Sequence, residues 1–130
     1  MSINAQWGNN EKTIIIVQFL NDWSWSEIIP VRESIVDMVE SVPHIVDYIA
    51  DFRETDRIPT GGLAVGRSIY NNRIRNEGAC TVVGVSPILR MLYRTFITAY
   101  PIMKNELLFV PTMNLAYQTL AEIQDDRDNT

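Results

Sequence analysis

The sequence predicts an α/β domain on a mixed, mostly parallel five-stranded sheet, in the order β-β-α-β-α-β-α-β-α. The first sign is that short runs rich in β-branched residues, "TIIIVQFL", "HIVDYIADF", "ACTVVGVS" and "ELLFV", alternate with longer segments whose apolar residues recur three and four apart. Strands alternating with helices of that length imply right-handed crossovers and parallel pairing. The second sign is the opening pair of extended segments, which adds one antiparallel strand, expected at an edge.

The elements follow in order. "INAQW" and "TIIIVQFL" flank "GNNEK", and glycine and asparagine tolerate the positive φ that a tight hairpin turn demands. Ile14, Ile15, Ile16 and Val17 are apolar on both faces, as in a strand covered on both sides. Ser24 and Glu27 form a capping-box pattern ahead of a stripe of Ile28, Val31, Ile35, Met38 or Val39, and Val42. Pro30 disturbs a helix that starts at Ser24. A kink there is the expectation, the alternative being a short first turn followed by a main helix near Pro30.

"HIVDYIADF" is the next strand. A helix over Gly62 to Asn76 follows, with Leu63, Ile69, Tyr70 and Ile74 as inward candidates and Gly78 as its stop. "ACTVVGVS" is a buried strand, and Pro87 opens a helix with the stripe Leu89, Leu92, Tyr93, Phe96 and Tyr100, ended by Pro101. After "ELLFV", Thr112 caps a last helix that turns Leu115 or Ala116, Leu120 and Ile123 inward. One domain over residues 1–124 is expected, with residues 125–130 as a frayed tail.

Composition bounds the function. The chain has 130 residues, 46% of them apolar and 21% charged, the mix of a globular protein with its own core. A net charge of −5 opposes binding to nucleic acid and stable docking on an anionic membrane, since both need a basic face. Cys80 is the single cysteine, so no disulfide framework or cysteine-based metal site is expected. The N-terminal stretch lacks the pattern of a signal peptide, and no apolar run reaches the ~18 residues of a membrane helix. A cytoplasmic protein with no integral membrane segment is the expectation.

One stretch, "IADFRETDRIPTGGLAV", resembles a known pattern. STAS domains, the fold of bacterial anti-sigma-factor antagonists and of sulfate-transporter tails, carry a strand ending in Asp, a loop, then an Asp-Ser-Ser-Gly-type corner that opens a helix. Asp51 matches the strand-end Asp, Pro59 replaces the acidic residue, and Thr60 matches the phosphorylated Ser. Gly61 stands at the second Ser, Gly62 at the Gly and Leu63 at the apolar position after it. The resemblance extends over nearly the whole chain. Its opening looks most similar to a bacterial STAS-like subgroup that is grouped with Sec14-like lipid binders.

The resemblance implies a non-enzymatic regulatory protein–protein interaction domain, switched by phosphorylation at Thr60, with a serine kinase or anti-sigma-type regulator as partner. The contact surface it implies is the Thr60 corner and adjacent helix: Asp51, Arg53, Arg57, Pro59, Gly61, Gly62, Leu63 and Arg67. The Sec14-like grouping implies instead a small anionic or lipid ligand. No cofactor is expected, and a homodimer through the edge strand or helix faces is compatible with the fold.

The residues themselves supply further candidates. Thr60 is read as an N-cap that accepts the Leu63 N–H, and a phosphate there would meet the positive end of a helix. Arg53, Arg57 and Arg90 are candidates to converge on an anion in the crevice beyond the carboxyl ends of the strands, against surface pairing with Glu54, Asp56 and Glu77. Trp23 and Trp25 flank Ser24, and core packing is expected of at least one. His44 stands without a ligand cluster, so no metal is expected, and no nucleophile elbow, Walker loop or dinucleotide glycine pattern is present. Asp47 and Asp51 read as strand-end and loop-capping groups, and Cys80 as a small buried hydrophobe.

Overall fold

The β-branched runs become five strands of one sheet, β1 (Ile3–Trp7), β2 (Ile14–Phe19), β3 (Val46–Asp51), β4 (Glu77–Val83) and β5 (Leu107–Val110), in that spatial order. The computed structural model describes residues 2–55, 59–84 and 86–129, leaving aside the side chain of Leu63. β1 lies at one edge, antiparallel to β2, and all other pairings are parallel. The helices are α1 (Ile28–Glu40), α2 (Gly62–Asn71), α3 (Pro87–Ala99) and α4 (Met113–Asp128), so the predicted α/β class and element order hold.

Strand order advances in one direction, so right-handed crossovers must place α1, α2 and α3 on the same face. On that face Ile15 and Phe19 of β2 pack with Val31, Ile35 and Val39 of α1. On the other face Ile14 and Ile49 meet Ala116 and Leu120 of α4. The doubly apolar run of β2 is thus explained by cover on both sides. No helix among the described residues is long and apolar enough to cross a membrane.

Several expectations need correction. Pro30 does not kink a long helix: a 3-10 turn over Trp25–Glu27 comes first, and α1 begins at Ile28, leaving Pro30 in the first turn, where its missing N–H costs little. Glu27 still closes its half of the capping box, accepting the Ser24 N–H at 3.1 Å and also the Ser2 N–H at 2.8 Å. In the hairpin the positive φ falls on Lys12, at 58°, rather than on glycine or asparagine. Asn9 works through its side chain, whose Oδ1 accepts the N–H groups of Thr13 and Ile14 at 3.0 and 3.2 Å.

α2 ends at Asn71, well before Asn76, because Asn72 caps it with a side-chain bond to the Ser68 carbonyl at 2.7 Å. Gly78 is not the helix stop; it lies inside β4, where any Cβ would collide with Asp47 Oδ1. Residues 125–128 are not frayed, since α4 continues to Asp128. Arg127 reaches back to Asp47 at 2.9 Å, and Gln124 donates to the same carboxylate at 2.9 Å. Asp47 is fully buried and also accepts the Ala79 N–H at 2.7 Å, so the end of α4 is tied to the middle of the sheet.

Candidate functional site

Across the crossover face, small residues stand opposite small residues. Ala50 of β3 and Cys80 of β4, with the backbone of Gly78, face Gly62 and Gly66 of α2 across a cavity of about 320 Å³. No described side chain of α2 is fully buried, so this helix spans the space without filling it. Gly66 has a second effect: a Cβ there would come within 3.0 Å of the Phe96 ring, so its absence lets α3 close against α2. Packed interiors hold few voids larger than a water molecule, and this one has room for about ten at ~30 Å³ each.

The cavity has two unlike ends. Toward the carboxyl ends of the strands it is closed by Phe19 and Phe52, stacked with centroids 4.2 Å apart, and by Leu89. Trp23, fully buried, packs edge-on against Phe19 with centroids 5.0 Å apart. Toward the amino ends of the strands the lining turns polar. Arg32 and Glu77 pair there through both guanidinium Nη groups, and Arg73 meets Glu106 at 3.0 Å. Arg73 also sits over the Tyr70 ring, 4.3 Å from its centroid.

Between these ends stands Tyr48. Its hydroxyl is sealed from solvent beside Glu77 and Arg32, without a hydrogen bond of good geometry to either. Burial, then the negative charge of Glu77, raises its pKa well above the usual phenol range, so it remains a neutral O–H. Cys80 lines the same space, and burial pushes its thiol up to about 12, which keeps it a protonated, unreactive wall group.

The residues singled out from sequence lie elsewhere. Thr60 is exposed, as expected, but it does not cap α2: Gly61 is the N-cap residue, at φ 102°, and no side chain bonds to the helix start. A left-handed backbone suits glycine, and it places Thr60 one residue too early to cap. The indole N–H of Trp25 secures this corner, donating to the carbonyls of Thr60 at 2.7 Å and Pro59 at 3.1 Å. Trp25 is thus half-buried at the corner while Trp23 joins the core.

Asp51 caps its own loop, accepting the Arg53 backbone N–H and both Nε and Nη2 of that guanidinium at 3.0 Å. Burial works against ionisation of Asp51, but the bonds and charge of Arg53 outweigh it and hold the carboxyl below its ordinary range. Arg53, Thr55, Gly84 and Ser86 line a polar cleft of about 390 Å³ beyond the strand ends. Arg90 is not in that cleft; its guanidinium lies 5.8 Å from the centroid of the Phe109 ring. The expected three-arginine anion site is therefore not assembled among the described residues, because Arg53 is bound to Asp51 and Arg90 is placed apart. Arg57 lies outside the described residues, as does the side chain of Leu63, and Arg67 is exposed on α2. Glu77 pairs with Arg32 rather than with a loop arginine.

Sequence reasoning missed the cavity and its polar residues, Tyr48, Arg32, Arg73 and Glu106. The available signal was a deficit of volume: Ala50 and Cys80 in the two middle strands, with Gly62 and Gly66 in the helix above. No protein-family model matches this chain, and no curated protein matches it either.

Proposed function

We propose that this is a non-enzymatic binding domain whose cavity between the sheet and α1 to α3 holds one small, largely apolar molecule. The observation that carries the reading is the cavity itself. The cavity is partly open to solvent, and without an occupant its apolar walls would stay in contact with water or lack packing partners. An almost wholly apolar lining gives water few partners, so an apolar occupant is the economical filling. Ligand sites of this kind begin at about 300 Å³, with a few polar groups that fix orientation. The resemblance to a Sec14-like grouping of lipid binders points the same way. The test is titration of the delipidated chain with a neutral solvatochromic dye. Saturation at one dye per chain, relieved by medium-chain aliphatic molecules, is expected; absence of saturable binding overturns the reading.

A second reading rests on the Thr60 corner. Thr60 is exposed next to the start of α2, on a turn held by Trp25. This favours a regulatory protein–protein interaction domain in the cytoplasm, resembling anti-sigma-factor antagonists and switched by phosphorylation of Thr60, with a kinase or anti-sigma-type partner. The two readings share α2, because Gly62 lines the cavity directly after Gly61. Mass spectrometry after incubation with a cognate serine kinase tests it: phosphate on Thr60 supports the switch, and an unmodified Thr60 removes it.

A further inference from the structure

We propose that the exposed side of α2 and α3, with the turns that follow them, docks on a membrane surface rich in anionic phospholipid. The net charge of −5 conceals a division of the chain. Residues 59–105 hold six basic residues and one acidic residue, Glu77, a net +5, whereas the remainder holds five basic and fifteen acidic ones, a net −10. Glu77 is buried against Arg32, and Arg73 is bound to Glu106. That leaves Arg67 on α2, Arg75 in the turn after it, Arg90 and Arg94 on α3, and Lys104 in the 3-10 turn over Pro101–Asn105, all exposed. None of these five pairs with a carboxylate among the described residues.

The cations are interleaved with protruding aliphatic side chains. Ile88 and Met91 of α3 are 54% and 64% exposed, and Ile102, just past the helix, is 71% exposed. At 3.6 residues per turn, Arg90, Arg94, Met91 and Ile88 fall within about 160° of the helix surface, with the buried Leu89 and Phe96 on the inward side. α2 adjoins this surface, because it meets α3 at Gly66, where a Cβ would come within 3.0 Å of Phe96. A fluid bilayer accepts protruding aliphatic groups without a shaped partner, while its anionic head groups answer the cations. Nucleic acid fits less well, since single strands stack on open aromatic rings, and Tyr70, Tyr93 and Tyr100 are each half-buried. The acidic residues orient the contact: Glu33, Asp37 and Glu40 are exposed on α1, and Glu122, Asp125 and Asp126 on α4, across the sheet from α3. α2 and α3 also wall the cavity, and docking stands whether or not the cavity holds a ligand.

The experiment is flotation of the full chain with vesicles at about 0.15 M salt, made of phosphatidylcholine alone or with about one-third phosphatidylserine. Each cation near an anionic surface strengthens binding about fivefold. The mixed vesicles are therefore expected to bind at least about tenfold more tightly than phosphatidylcholine alone, and the double variant Arg90→Gln, Arg94→Gln to lose at least about tenfold on them. Met91→Ser should weaken binding about threefold or more, and Asp126→Asn on α4 should leave it unchanged. Equal binding to both kinds of vesicle, or none to either, overturns the docking. An unchanged affinity for Met91→Ser overturns the seating of aliphatic side chains in lipid. If a single-stranded oligonucleotide, read by anisotropy, or a second copy, read by sedimentation, occupies the face while vesicles float free, the cations serve that partner and the proposal falls. Flotation and the dye titration are separate readouts, so either result stands without the other.

Discussion

Replacing Ala50 by leucine puts three more carbons into the cavity from the middle of the sheet. Ala50 lies between Val17 of β2 and Val82 of β4 in register, and all three line the space. Each buried carbon contributes about 0.8 kcal/mol, and fixing the leucine rotamer costs about 0.5–1 kcal/mol. The net gain is therefore about 1.5 kcal/mol in the ligand-free protein. With an unfolding entropy of about 2.1 cal/mol/K per residue over 130 residues, that raises Tm by about 5 °C. The same leucine occupies ligand volume and should weaken dye binding at least about tenfold. Differential scanning calorimetry and the dye titration read these opposite signs on one variant. A lowered Tm in the ligand-free protein would refute the reasoning, because overpacking a filled core costs about 1–3 kcal/mol.

Thr60→Ala should change stability by less than about 0.5 kcal/mol, since the hydroxyl caps nothing; a loss of about 1 kcal/mol in urea denaturation would restore the capping role. Arg127→Ala should cost about 2 kcal/mol by leaving Asp47 buried with fewer partners, an effect that a frayed tail would not show in the same assay. Gly78→Ala should destabilise by about 2 kcal/mol or more through its collision with Asp47 and Ile45, and a neutral result would contradict the packing of β3 on β4. The folded-state pKa of Asp51 is depressed, so its contribution is present above the ordinary carboxylate pKa near 4 and is lost as pH falls through the folded value. Urea midpoints measured across acid pH should therefore fall less steeply for Asp51→Asn than for the parent chain.

Periodicity was enough to place the strands and helices, because each has its apolar residues on the faces that the crossovers bury. Ile14 to Val17 announced a strand covered on both sides, and Thr112 caps α4 at 3.1 Å as its position suggests. Boundaries decided by tertiary contacts were less legible. Arg127 looks like part of a polar tail until Asp47, eighty residues earlier, is known to lie beneath it. Gly78 looks like a helix stop until the same Asp47 is seen to exclude any Cβ there.

The site was hidden for a related reason. A cavity is made of absent atoms, and sequence patterns register side chains that are present. Tyr48 reads as an ordinary inward strand residue, and its place beside Glu77 and Arg32 appears only in three dimensions. The rule that ligands sit beyond the carboxyl ends of parallel strands directed attention to Arg53. The apolar space instead lies across the sheet face, with its polar end at the amino ends of the strands.

Native mass spectrometry of the chain, purified from its host without detergent, bears most directly on whether the cavity is a ligand site. One adduct per chain is predicted, of a size suited to about ten heavy atoms, released by organic extraction and absent from Ala50→Leu. A chain that emerges bare, and that binds no apolar molecule afterwards, would contradict the account.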